Sequence, residues 1–354
     1  MIKVGTDFSG IGSVETALKR LGIPHQNIFA CDIDKYAKKS FLELNNPIEF
    51  YDDITTRNYK DVPKLDLYVA GFPCQSFSLA GKRGGFDDTR GTLFFNVAEF
   101  IKVNQPKCFI LENVKGLLSH DSGKTYQTIT DVLTNGGGTF NGQMGMDTIE
   151  DGLGYHIYTK VLNTKDYGIP QNRERIFIVG FKHWRTFNFP VKIPLKLSLK
   201  DMLQDNPNSK FYLSQKKIQY FQNYKRSIGF TDPDKKTISN CIIAGYHKLP
   251  GDGEYIKVHS LYPRSSKTGK GGTGHLSKQD GTTYCLDTGN SQAIEKDKKI
   301  RRLTPLECWR LQGFTDEEFH KAQKVNSDTQ LYKQAGNSIT VNVMTEILKK
   351  IYLS

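Results

Sequence analysis

The chain has 354 residues, 37% of them hydrophobic, and carries a formal net charge of +12. That length admits one large domain or two modest ones, and no apolar run approaches the roughly eighteen residues that span a membrane. Its six cysteines form no close pairs in sequence, which argues against a zinc site or a disulfide framework and suits a reducing compartment.

Met1 to Val4 leads straight into a strand pattern, so no signal peptide is expected before it. Short apolar runs then alternate with helical patterns over the first 180 residues. Strands are predicted over 2–6, 26–31, 67–70, 108–112, 156–162 and 175–181, with helices between them, as over 13–21 and 35–44. This alternation predicts an α/β fold built on a doubly wound, mostly parallel, Rossmann-like sheet. Ligands of such sheets lie beyond the carboxyl ends of the strands.

Asp7-Phe8-Ser9-Gly10-Ile11-Gly12 follows the first strand and opens a helix. Its glycines allow backbone to approach a ligand closely. The third glycine of a dinucleotide fingerprint would fall at position 15, which is Glu15, so a dehydrogenase fits poorly. Pro73-Cys74-Gln75 places a cysteine just beyond a strand, followed by Ser76 and Ser78. Such a thiol reads as a held nucleophile. Glu112-Asn113-Val114 ends the next strand, so Cys74 and Glu112 should share one cleft.

A Gly/Asp-rich loop is predicted over 135–154. Gln171-Asn172-Arg173-Glu174-Arg175 precedes the last strand of this region. From about residue 184 the α/β rhythm is lost, and 245–291 suggests short strands and exposed loops. Residues 182–300 hold 21 Lys and Arg against 10 Asp and Glu, so nearly all the excess charge sits there. That asymmetry suggests a polyanion partner, with a plain lysine-rich surface as the alternative. A final apolar helix, over about 338–352, is expected to pack back onto the first domain.

In this order and at these separations, the motifs over 1–181 and 301–343 resemble the DNA (cytosine-5)-methyltransferase family. The resemblance implies S-adenosylmethionine bound at Phe8, Ser9, Gly10 and Gly12, with Phe8 on the adenine. It further implies Asp32 and Ile33 beside the ribose end, where relatives usually carry Glu in place of Asp32. Asp53 and Ile54 would hold the adenine, and Pro73, Leu93, Asn337 and Ser338 would complete the pocket. Cys74 would be the nucleophile and Glu112 the acid at N3 and N4 of the base. Arg175 would reach the base carbonyl, and Arg173 a backbone phosphate or the neighbouring carboxylate.

The implied substrate is a flipped-out cytosine in duplex DNA. Residues 75–92 resemble a mobile closing loop, with Gln75, Ser78, Lys82 and Arg90 as DNA contacts. Residues 184–325 take the place of a target-recognition domain, with Arg264, Lys267 and Lys270 as candidate readers, and 326–354 would complete the catalytic domain. The segment Thr304 to Phe314 resembles the one that organises this insert, with a structural role for Cys308. A monomer in the cytoplasm, associated with the nucleoid and with any cognate restriction endonuclease acting separately, is the further expectation. A tRNA cytosine-5 methyltransferase of the same fold is the alternative, although Gln75 and Ser76 stand where those enzymes usually have Pro and Thr. A catalytically silent DNA-binding relative is disfavoured, since Cys74, Glu112 and the glycine turn are all present.

Overall fold

The computed structural model describes residues 1–73, 93–134, 152–214, 216, 230–231, 237–239, 241–242, 244, 255–258 and 299–354. Seven strands form the main sheet: β1 (Ile2–Asp7), β2 (His25–Cys31), β3 (Glu49–Tyr51), β4 (Leu67–Ala70), β5 (Cys108–Val114), β6 (His156–Asn163) and β7 (Glu174–Phe181). Their spatial order is β3-β2-β1-β4-β5-β7-β6. The first five are parallel, and β7 alone runs against its neighbours β5 and β6. The expected doubly wound, mostly parallel sheet is therefore present. The chain winds outward from β1 to β3 and returns to β4, which opens a crevice beyond the carboxyl ends of β1 and β4.

Both faces of the sheet are covered, which is why its strands read as continuous apolar runs. Side chains alternate between two cores. Leu67, Val69, Cys108, Ile110, Phe177 and Val179 enter one, with α1 (Ser13–Arg20) and the C-terminal helix Val341–Tyr352. Tyr68, Ala70, Phe109, Leu111, Ile176 and Ile178 enter the other, with α3 (Leu93–Asn104) and α4 (Lys124–Leu133). The first core also takes in Phe187, Leu199, Phe211 and the stretch from Leu303 to Phe319. Residues 303–319, placed with the insert in the sequence reading, thus share a core with β1 and α1.

Several polar contacts fasten the returning chain to the first helices. Ser13 and Ser338 share a hydroxyl hydrogen bond of 2.7 Å, and Lys333 Nζ lies 2.6 Å from Asp34 Oδ2, the N-cap of α2 (Lys35–Leu44). Ser40 donates to Gln334 Oε1 and Gln334 Nε2 donates to Tyr36 O. The expected last helix is present over Val341–Tyr352, and a separate helix, Asp328–Asn337, precedes it with Ser338 between the two. At the head of this region Thr304 and Glu307 form a reciprocal capping box with Pro305 at the first turn. Glu307 also receives both terminal nitrogens of buried Arg301, at 2.8 and 2.9 Å. Cys308 is buried within this packing.

A small second sheet has the order β10-β9-β8, from Phe230–Thr231 (β8), Tyr255–Val258 (β9) and Lys299–Arg302 (β10). The loop expected over 135–154 lies outside the described residues except for 152–154. Among the described residues no helix is long and apolar enough to cross a membrane.

Candidate active site

At the end of β1 the backbone turns through left-handed geometry: Phe8 has φ 54°, Gly10 56° and Gly12 83°. A Cβ on Gly12 would also crowd the Asn45 side chain, so glycine suits this left-handed position. The turn is laced to β2. Ser9 N donates to Cys31 O at 3.0 Å, while Ser9 Oγ donates to Thr6 O and accepts from Cys31 N. Gly10 N donates to Asp32 Oδ2 at 2.8 Å, and Asp34 N to Asp32 Oδ1 at 2.9 Å. Burial raises the Asp32 pKa, and these two amide hydrogen bonds only partly offset it.

Ile33 is 80% exposed beside the turn, an apolar surface open to a ligand. Asp53 Oδ1 accepts from the amide and hydroxyl of Thr55, and Ile54 is buried behind it. Leu93, half-buried, starts α3, and Asn337 is exposed at the end of its helix. Glu15, where a dinucleotide fingerprint would need glycine, is buried in the first turn of α1. Burial pushes its carboxyl up to about 7. One of its oxygens accepts from Thr6 Oγ1, and the other has no hydrogen-bond partner.

The second group gathers at the ends of β4, β5 and β7. Glu112 and Val114 lie on one face of β5, and Arg175 pairs directly across from Val114. The diagonal this creates brings Arg175 Nε to 3.1 Å from Glu112 Oε1. Burial raises the Glu112 carboxyl above the usual carboxylate range, against the lowering pull of Arg175 and Arg173. Its other oxygen rests on the backbone that leads to Cys74: a Cβ added to Gly71 would sit 3.4 Å from Glu112 Oε2. Asn113 Nδ2 donates to Phe72 O at 2.9 Å, and Asn113 Oδ1 accepts from Val114 N. The acid, its neighbour and the half-buried Pro73 are thereby held as one unit.

Arg173 is held by backbone carbonyls. It is 3% exposed, and its guanidinium donates to the carbonyls of Ile242, Gly336 and Ser338 at 2.8, 3.0 and 2.8 Å. Its guanidinium is thus turned inward, its charge still close enough to lower the Glu112 pKa, while Arg175 makes the direct contact with that carboxylate. Arg173 joins β7's approach, the inserted segment and the returning chain. Arg173→Met is expected to lower stability by more than about 3 kcal/mol, because three buried carbonyls lose a charged donor. A urea midpoint close to wild type would contradict this role.

Sequence reasoning missed Cys241. Arg173 Nη1 donates to its sulfur at 3.3 Å, and Arg175 Nη2 lies 3.9 Å away. A single cysteine in an irregular segment gave no signal. Cys74, Gln75, Ser78, Lys82 and Arg90 lie outside the described residues, as do Arg264, Lys267 and Lys270. The described residues thus bring together two groups: the turn with Asp32, Ile33, Asp53 and Ile54, and the pair Glu112–Arg175 beside Pro73.

A family model described as C-5 cytosine-specific DNA methylase matches residues 3–353. The chain is 37% identical to type II methyltransferase M.HpaII of Haemophilus parainfluenzae, over 97% of this chain and 87% of that protein. It is 34% identical to type II methyltransferase M.Bsp6I of Bacillus sp. (strain RFL6), covering 100% and 99%. Orphan methyltransferase M.SPRI of Bacillus phage SPR is 32% identical, covering 99% and 97%. Among solved structures, S. pombe Dnmt2 methyltransferase superposes with a TM-score of 0.71 at 19% identity, over 99% of this chain and 100% of that one. The methyltransferase EhMeth of Entamoeba histolytica gives 0.68 at 17%, over 99% and 98%. At these identities the two structures speak for the fold alone.

Proposed function

The chain belongs to the C-5 cytosine-specific DNA methylase family, and we propose from its geometry how its own residues methylate C5 of cytosine in duplex DNA. The observation that carries the reading is the Glu112–Arg175 pair, 3.1 Å apart, with Glu112 buried beside Gly71. S-adenosylmethionine, when bound, supplies an electrophilic methyl on a sulfonium. The left-handed turn at Phe8–Gly12, open beside Gly10 and flanked by exposed Ile33, suits its nucleoside end. Asp32 and Asp53 supply carboxylate oxygens along that wall.

Cytosine C5 is a weak nucleophile. Addition of the Cys74 thiolate to C6 turns the ring into an enamine whose C5 is electron-rich. Negative charge then develops at N3, where a protonated Glu112 gives its proton. Burial favours that protonated form, and Arg175 orients it while its guanidinium faces the base carbonyl. After C5 is methylated, loss of its proton and expulsion of the thiolate restore aromaticity. The base must leave the stack to meet these groups, which costs a few kcal/mol in stacking and pairing.

Relatives include both type II and orphan methyltransferases. We take the chain to act independently of any endonuclease that shares its site. Covalent addition has a direct test. Fluorine at C5 cannot leave as a proton does, so duplex DNA containing 5-fluorocytosine should end as a denaturant-stable protein–DNA adduct. Adduct with wild type and none with Cys74→Ala is the expected pair of results. Adduct with both proteins would place the nucleophile elsewhere.

A further inference from the structure

Behind the candidate cofactor turn lies a buried polar unit that the chemistry above does not use. Arg57 Nη1 and Nη2 donate to the two oxygens of Asp7 at 2.8 and 2.7 Å, and Tyr68 Oη donates to Asp7 Oδ2 at 2.6 Å. The Arg57 and Asp7 side chains have no exposed surface. The guanidinium is surrounded by the rings of Phe29, Tyr51, Tyr59 and Phe100, 4.2 to 5.4 Å from their centroids. Burial opposes the Arg57 charge, but Asp7's charge and hydrogen bonds outweigh it and hold the guanidinium pKa above its usual range.

A buried ion pair is weak as a source of stability, because desolvation offsets the attraction and well-packed apolar residues serve as well. What the forked pair does supply is orientation. Asp7 is the last residue of β1, immediately before Phe8, whose left-handed φ of 54° is uncommon for a bulky residue. Such a conformation persists only where its surroundings over-determine it. Arg57 follows Ile54 by three residues on the second candidate cofactor segment. A third wall joins the same unit: Tyr59 Oη donates to Ile54 O at 3.1 Å and accepts from Asn96 Nδ2, in the first turn of α3, at 3.2 Å.

We propose that the Asp7–Arg57–Tyr68 unit is a positioning device that holds Phe8 in its turn and locks the Asp53–Ile54 segment against it, preforming the S-adenosylmethionine pocket. This rests on the assignment of those two segments to the cofactor. Disruption should therefore weaken cofactor binding rather than chemistry, which a purely structural role would not select.

The test replaces the whole unit at once, Asp7→Leu with Arg57→Met and Tyr68→Phe, so that no buried charge or hydroxyl is left alone. Binding of S-adenosylmethionine is measured by calorimetry beside thermal unfolding and steady-state methylation. The expected result is a folded protein whose cofactor Kd and KM rise at least about tenfold, while kcat at saturating cofactor stays within about threefold. A folded triple variant with unchanged Kd overturns the proposal. Should that variant not fold, Arg57→Lys decides, since it keeps the charge and loses the fork: a wild-type Kd there overturns the proposal equally. Ile33→Glu, on the exposed wall, separates the two levels. If it weakens cofactor binding and the buried replacements do not, only the positioning role fails; if none of them does, the pocket assignment fails.

Discussion

Cys74→Ser abolishes methyl transfer, lowering kcat by at least about 10⁴-fold, while affinity for S-adenosylmethionine stays within about twofold of wild type. An ordinary thiol has a pKa of about 8.5 and ionises within reach of neutral pH, whereas a serine hydroxyl does not. Without an anion to add at C6, C5 never becomes electron-rich enough to take a methyl group. Cofactor affinity is expected to hold because the groups assigned to its nucleoside end sit at the ends of β1, β2 and β3 and are untouched by the substitution, while Pro73 stays in a segment braced by the Asn113–Phe72 hydrogen bond. Single-turnover methylation and calorimetry read the two quantities separately. Retained turnover would sink the thiolate mechanism.

Glu112→Gln carries the next largest effect, a fall in kcat of about 10²- to 10³-fold with duplex-DNA affinity changed by no more than about threefold. The amide keeps the shape and a hydrogen bond, but it has no proton to give as charge develops at N3. Its interaction with the Arg175 guanidinium at 3.1 Å loses the charge, so the acid's orienting partner is weakened too. A pH profile adds a sign. Burial raises the wild-type carboxyl's pKa, so the proton is present below that pKa and is lost as pH rises through it. Wild-type kcat should therefore fall on the alkaline side of that ionisation, and the glutamine variant should lack that limb. Equal losses in catalysis and DNA affinity would mean instead that Glu112 mainly maintains the fold.

Much of this site was legible before any coordinates. The apolar runs of β4 and β5 and the turn at Asp7–Gly12 were visible because strands buried on both faces carry a strong local signal. Glu112 and Arg175 were legible as members of short motifs, and their contact follows from the antiparallel pairing of β5 with β7. The edge strand Glu49–Tyr51 escaped notice because three residues are too few to show a period. The inward contacts of Arg173 escaped notice for a different reason. Its partners are backbone carbonyls of Ile242, Gly336 and Ser338, and a carbonyl acceptor has no side-chain signature in a sequence. The Asp7–Arg57 pair spans 50 residues and forms only once β1 and the segment after β3 are in place. No local pattern announces such a contact.

Direct product analysis tests the central assignment best. Purified protein is given labelled S-adenosylmethionine with mixed-sequence duplex DNA or with tRNA, beside a Cys74→Ala control, and the nucleosides are analysed by mass spectrometry. The expected result is label in DNA 5-methylcytosine with wild type and none with the control. Label confined to tRNA, or no label in either substrate despite measurable cofactor binding, would contradict it.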